Sequence, residues 1–223
     1  MSFLLRFLFS YYNIDQNELQ FTFPKKKEED KMSITEPSKT SIHLHEFFWF
    51  KVMKGYYRRF VESFDLNGEE KVLDFGCGPG AASTFIAQTL EKKDGELTCL
   101  DISKIWIERA RKNLSRFPNV EYYAEDIKKW GKKTNYFNVV VIHFMLHDID
   151  KSERQEVVRA LAKKMKANAK LFIREPTKEG HGMRPKEIQE LMFKSGLKET
   201  ESKITKSFFM GALYTGIFNK TGS

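Results

Sequence analysis

Lys71-Val72-Leu73-Asp74-Phe75-Gly76-Cys77-Gly78-Pro79-Gly80 is the stretch that decides the reading of this chain. An apolar run ends on an acid, and glycines follow at every second position. The pattern predicts a buried strand that enters a tight turn. Residues without a Cβ are needed where a ligand approaches the backbone closely or φ is positive. Ala81 to Leu90 then predicts a helix, whose N-terminus points at whatever the turn holds.

Two ligand classes use such a turn. Gly76, Gly78 and Ala81 formally satisfy the dinucleotide pattern G-x-G-x-x-G/A, so an NAD-dependent oxidoreductase stays open as an alternative. Asp74 weighs against it. A carboxylate just before the glycines repels a pyrophosphate and suits a cationic amino group. A ligand with an α-amino group and a sulfonium fits better.

Further acids follow at matching places. Glu96 to Asp101 reads as a second strand ending in an acid. Asp101 lies about 20 residues past the glycines, where a carboxylate meets a ribose hydroxyl pair. Val120 to Glu125 reads as a third strand with Asp126 at its end, and Asn138 to Phe144 as a central fourth. Taken singly, each acid has a plainer reading as a helix N-cap.

The run from Asp74 to Gly80 resembles motif I of the class I S-adenosylmethionine-dependent methyltransferases, and the similarity covers roughly Leu44 to Lys220. The resemblance implies an α/β fold, a doubly wound seven-stranded mostly parallel sheet, Rossmann-like, with a C-terminal antiparallel hairpin. It implies S-adenosyl-L-methionine as cofactor. Asp74 would serve its amino group, and the turn of Phe75, Gly76, Cys77, Gly78 and Gly80 would hold its methionine part. Asp101 with Ile102 would take the ribose, and Asp126 with Ile127 the adenine. A binding protein that keeps the cofactor pocket without turnover is the other alternative, because methyl transfer needs no signature residue.

The chain has 223 residues, enough for one α/β domain with appendages. Its net charge of +8 is spread over helices and loops, so a solvated surface is expected rather than a nucleic-acid face. Its two cysteines, Cys77 and Cys99, make no metal set or disulfide framework, which points to a reducing cytoplasm. Their scarcity also argues against a thiol-based arsenite methylase.

Residues 1–42 read as an N-terminal extension. Met1 to Tyr12 is apolar but interrupted by Arg6 and too short to span a bilayer, so no stable membrane insertion is expected. Codons for Lys27 to Lys31 permit a purine-rich ribosome-binding sequence before a start at Met32, which makes 1–31 a candidate for translated leader. The methyltransferase-like domain is expected over 43–220. His43 to Phe64 is too aromatic for a free helix and predicts one or two helices over the cofactor edge, as core or lid.

Beyond the fourth strand come a helix from Asp150 or Ser152 to about Lys166, a strand Ala169 to Arg174, and a helix from Pro185 to near Gly196. Lys198 to Lys206 and Phe208 to Phe218 predict the terminal hairpin. Ligands bind beyond the carboxyl ends of such strands. The Asn/Asp-Pro-Pro-Tyr/Phe motif of DNA and protein-amide methylating relatives is absent after strand four. A small-molecule acceptor and a monomer or homodimer are therefore expected, with no nucleic acid and no metal. His143 and Glu175 are the candidate catalytic residues: His143 near the methyl position, Glu175 at the mouth of the acceptor pocket or in an ion pair with Arg174 or a lysine. His147 reads as a structural hydrogen-bonder, Asp148 as a helix cap, and His181 as a loop residue.

Overall fold

The computed structural model describes residues 48–178, 182–207 and 211–221. The expectations for the lead-in at 1–42, for a start at Met32 and for His181 lie outside them. Seven strands form one sheet in the order β3-β2-β1-β4-β5-β7-β6. They are β1 (Lys71–Phe75), β2 (Glu96–Asp101), β3 (Val120–Ala124), β4 (Phe137–His143), β5 (Met165–Pro176), β6 (Leu197–Ser207) and β7 (Gly211–Lys220). The first five pair in parallel, whereas β7 runs antiparallel to both β5 and β6. The doubly wound sheet with its terminal hairpin is thus the architecture that the sequence predicts.

Among the described residues five α-helices cover the sheet: α1 (Lys54–Glu62), α2 (Ala81–Leu90), α3 (Lys104–Asn113), α4 (Arg154–Lys164) and α5 (Pro185–Phe193). A π-helical turn at Phe48–Val52 leads into α1. In α1 the buried residues are Tyr57, Phe60 and Val61, spaced to make one apolar stripe. Ser103 starts α3 by accepting from the Trp106 N–H at 3.3 Å. Pro185 opens α5 at a position whose N–H has no helical partner to lose.

The core lies on both faces of the sheet. Phe60, Phe64, Ile86, Leu114, Val141 and Phe172 fill the α1–α2–α3 side. Leu73, Leu100, Trp130, Leu161, Met192 and Tyr214 fill the α4–α5 side. Burial of each such large side chain contributes about 1.5–3 kcal/mol. β1 is buried on both sides because it is central, with Asp74 flanked by Cys99 of β2 and Val141 of β4. Successive strands step outward to β3 on one side and to β5 on the other, so the order reverses between β1 and β4. The loops after these two strands diverge and leave a crevice at that point.

β5 starts at Met165, earlier than expected from sequence, because a register shift between Phe137 and Val139 of β4 lets Met165 pair with Phe137. α4 starts at Arg154 rather than at Asp150 or Ser152. No helix among the described residues is long and apolar enough to cross a membrane.

Candidate functional site

A cavity of about 570 Å³ opens at the switch point, beyond the carboxyl ends of β1, β2 and β4. Asp74, the turn from Phe75 to Pro79, Asp101, Asp126 and His143 line it, whereas Gly80, expected to hold the cofactor, stands off the wall where a Cβ would meet Leu114. Gly76 and Gly78 both have positive φ, at 74° and 52°. Their surroundings differ. A Cβ on Gly76 would collide with the Met145 side chain, whereas a Cβ on Gly78 would meet no protein atom within 4 Å. The Gly78 backbone therefore faces open cavity, and a ligand can approach it closely.

Asp74 is 2% exposed, and its Oδ2 accepts from the Ser83 hydroxyl at 2.5 Å. Burial pushes its pKa up to about 6; the Ser83 bond opposes the shift and the Asp101 charge adds to it. A carboxylate in this state gains from a cation placed beside it. Asp101 ties the turn to β2: Oδ2 accepts the Gly78 N–H at 3.0 Å and Oδ1 the Ser103 N–H at 2.9 Å. Burial raises its pKa, and the backbone donors offset part of that. Asp126 accepts the Lys128 N–H at 2.9 Å, which closes the turn after β3. Ile127 is buried, but Ile102 is 48% exposed on the cavity wall. An apolar side chain left open there suits the face of a flat ring. Cys77 is buried, and the adjacent Cys99 thiol together with burial pushes its pKa up, so it stays protonated.

At the β4 end, His143 sits among rings, 4.0 Å from Phe144, 4.9 Å from Phe60 and 5.1 Å from Tyr57 between centroids. Burial and the Arg174 charge hold its pKa well below the usual histidine value, so the ring is neutral. Its Nε2 is buried with no hydrogen-bond partner among the described residues. Phe144 has φ of 54°, an uncommon value for a bulky side chain, and its N–H donates to the Arg174 carbonyl at 2.9 Å.

Glu175 is placed differently from the expectation. It is 0% exposed and stands apart from the cavity wall. Oε1 accepts the Met145 and Leu146 N–H groups at 3.0 and 2.7 Å, and Oε2 lies 2.6 Å from His147 Nδ1. Its ionic partner is thus His147 rather than Arg174 or a lysine. Burial disfavours the charged imidazole of His147, but the Glu175 bond and charge outweigh it and raise the pKa. The alternation along β5 explains the difference: Arg174 packs against α1, and Glu175 points the other way, under the 3-10 turn Leu146–Asp148. Asp148 caps no helix; its exposed carboxylate lies on the cavity wall, 3.7 Å from His147 Nε2.

Sequence reasoning took the aromatic segment before β1 as core or lid and named Arg174 only as a possible partner of Glu175; like Glu175, Arg174 stands apart from the cavity wall. Tyr57 of α1 lines the cavity. The Arg174 guanidinium lies 4.1 Å over the Phe60 ring and 5.2 Å over the Tyr56 ring.

Residues 72–168 match a family described as a methyltransferase domain. Among curated proteins, the carboxy-S-adenosyl-L-methionine synthase of Shewanella pealeana is 29% identical over 40% of this chain and 37% of its own length. The malonyl-[acyl-carrier protein] O-methyltransferase of Halalkalibacterium halodurans is 29% identical over 45% of this chain and 37% of its own. The match thus spans under two fifths of either relative. Among solved structures, the N-methyltransferase NodS of Bradyrhizobium japonicum, in complex with S-adenosyl-L-homocysteine, superposes with a TM-score of 0.62 at 17% identity. That likeness covers 83% of this chain and 94% of NodS and carries the fold alone. Residues 72–168 therefore resemble a methyltransferase domain, and the Rossmann-like fold that carries them is shared with NodS.

Proposed function

We propose that this chain transfers a methyl group from S-adenosylmethionine to a small-molecule acceptor. The observation that carries the reading is the open Gly78 backbone bracketed by Asp74 and Asp101 on one cavity wall. The buried Asp74 carboxylate fits the cofactor's ammonium group and opposes a pyrophosphate. Asp101 keeps lone pairs for two ribose hydroxyls after accepting its two backbone N–H groups. Asp126, Ile127 and the exposed Ile102 fit the adenine. When bound, the cofactor supplies an electrophilic methyl group on a sulfonium.

The chain's own part is positioning. The strained Phe144 and the 3-10 turn after β4 form the wall facing the glycine turn. Glu175 holds that turn through two N–H bonds and orients His147, so it is a positioning residue. His143 is kept neutral and is the group placed to accept a proton from an acceptor that must lose one. The rings of Tyr57 and Phe144 exclude water and suit an apolar or planar acceptor.

A thermal melt of the full chain with S-adenosylhomocysteine, against NAD, tests the cofactor. At about 100 times the dissociation constant a specific ligand adds about 2.7 kcal/mol, a rise of roughly 5–10 °C for a domain of this size. A rise with NAD alone would overturn the proposal. Transfer of labelled methyl to a metabolite panel then tests turnover. Cofactor consumption without a methylated product would instead favour chemistry on the cofactor itself, as the name of the Shewanella synthase describes.

A further inference from the structure

The cavity carries a charge opposite to that of the chain. The protein has a net charge of +8. On the cavity wall, among the described residues, stand six carboxylates, Asp74, Asp101, Glu125, Asp126, Asp148 and Glu153, and one ammonium, Lys128. Lys128 is already taken: its Nζ lies 2.7 Å from Glu153 and 3.8 Å from Asp126. Asp74 and Asp101 stand at the glycine turn, where the cofactor's ammonium group and ribose would use them. Asp148 is left over at the β4 end. Its side chain is 75% exposed, and His147 Nε2 is 3.7 Å away. Glu175 holds the same imidazole at 2.6 Å through Nδ1, so His147 cannot neutralise both acids.

Other groups on that wall point the same way. Tyr57, His143 and Phe144 place rings there, and aromatic faces attract cations. His143 Nε2 is buried without a hydrogen-bond partner among the described residues. Burial and the Arg174 charge keep its ring neutral, so the ring can accept an N–H bond from a ligand. Buried groups left unpaired in this way are rare in a completed structure. Arg174 does not offset the acids, because it stands off the wall, stacked on Phe60 and bonded to Thr215. Among the described residues, no three His, Cys, Asp or Glu side chains are grouped so as to hold a metal ion, which leaves the surplus charge to an organic cation. A cleft lined by one sign of charge concentrates ligands of the other sign and turns away its own.

We propose that the acceptor is an organic cation, an ammonium group on an apolar body, and that Asp148 is the residue that selects it. This deepens the methyl-transfer reading and rests on it for the word acceptor. The rings of Tyr57 and Phe144 take the apolar body and Asp148 takes the charge. His143 Nε2 is open to an N–H of the same ligand.

The test uses the full chain saturated with S-adenosylhomocysteine, and three probes sharing one phenyl ring: phenethylammonium, neutral phenethyl alcohol and anionic phenylacetate. Equilibrium dialysis at neutral pH should show the ammonium held about fivefold or more tighter than the alcohol, with phenylacetate weakest. Asp148→Asn should bring the ammonium and the alcohol within about twofold of each other, because the charge that separates them is gone. Asp148→Lys should invert the order of the two ions. Asp148 is exposed, so both variants should fold, and a melt with S-adenosylhomocysteine that matches the parent checks that the cofactor half is intact. Added salt should shrink the parent's preference. Equal retention of all three probes, retention of none, or an ammonium preference that survives both substitutions overturns the assignment. A failure of the cofactor reading looks different: no melt response to S-adenosylhomocysteine, with the ammonium preference and its loss in the variants intact. Once an acceptor is found, Asp148→Asn should raise KM by about fivefold with a smaller change in kcat, since the contact it removes is made in the ground state.

Discussion

At the β1–β2–β3 end of the sheet, the site consists of backbone and of carboxylates at strand ends. At the β4 end its wall consists of rings, Tyr57 from α1 with His143 and Phe144 at the end of β4. The first half is local in sequence: Asp74 to Gly80 is one continuous segment, and Asp101 reaches back to it through a single N–H bond from Gly78. The second half is assembled. Behind its wall, Tyr56, Arg174 and Thr215 are far apart in the chain and meet only because β5 lies between β4 and β7. A cofactor that is constant can be held by a constant motif. An acceptor that differs between related enzymes is met by side chains that can change without disturbing the strands.

Glu175 belongs to the scaffold of the second half, and removing it should give the largest effect. Glu175→Ala leaves the Met145 and Leu146 N–H groups and His147 Nδ1 without the carboxylate that binds them. Breaking a buried pair of this kind costs about 3–5 kcal/mol. Denaturant unfolding should show that loss, while S-adenosylhomocysteine still binds the folded fraction. A stability within about 0.5 kcal/mol of the parent would remove Glu175 from the scaffold.

The glycine turn predicts the reverse pattern, with binding lost and fold kept. Gly78→Val puts a side chain into the cavity and should weaken S-adenosylhomocysteine at least about 100-fold, or about 2.7 kcal/mol. A positive φ costs the valine some stability, so Gly78→Ala is the gentler companion. Gly76→Ala should do the opposite and destabilise the fold, since its Cβ would meet Met145. Normal binding by Gly78→Val would undo the assignment of the turn. Asp101→Ala comes next, at roughly 1–3 kcal/mol of affinity from a lost charged hydrogen bond. The structure adds a second reason, because Asp101 also holds the Gly78 N–H. Unchanged affinity would take Asp101 out of the ribose site.

How much the sequence revealed follows the same division. β2 and α2 fall on the expected residues because apolar runs, glycines and acids are short-range signals. The edge strand β6, Leu-Lys-Glu-Thr-Glu-Ser-Lys-Ile-Thr-Lys-Ser, was readable despite its polarity, through its β-branched residues and the absence of a helix period. β5 was underread because Met165 to Leu171 alternates only through two alanines, a weak strand signal, and Asn168 has φ of 61°. Glu175 and Arg174 could not be told apart from sequence. They are neighbours on one strand, and which way each of them points depends on what packs against each face. Arg174 is held by the Thr215 hydroxyl and the Phe60 ring, contacts between distant segments that one sequence does not reveal.

The smallest predicted effect on binding is the one that best separates the two ends. Asp74 titrates near pH 6 in the folded chain, above the ordinary aspartate value, because burial favours its neutral form. A folded-state pKa above the unfolded one means that the native state binds more protons between about pH 4 and 6. The unliganded protein should therefore lose stability as pH rises through that window, by on the order of 2–3 kcal/mol. An ammonium group beside Asp74 requires the ionised carboxylate. Affinity for S-adenosylhomocysteine should then change in the opposite sense, rising about tenfold, or about 1.4 kcal/mol, from pH 5 to pH 7. Asp74→Asn should flatten both profiles: more stable than the parent at pH 7 without ligand, weaker in binding, and indifferent to pH across the window. The ring-lined end should show no such rise, because the His143 ring stays neutral across the window. A flat affinity profile in the parent would mean that the ammonium group lies elsewhere, and Asp74 would then serve only to hold Ser83 at the start of α2.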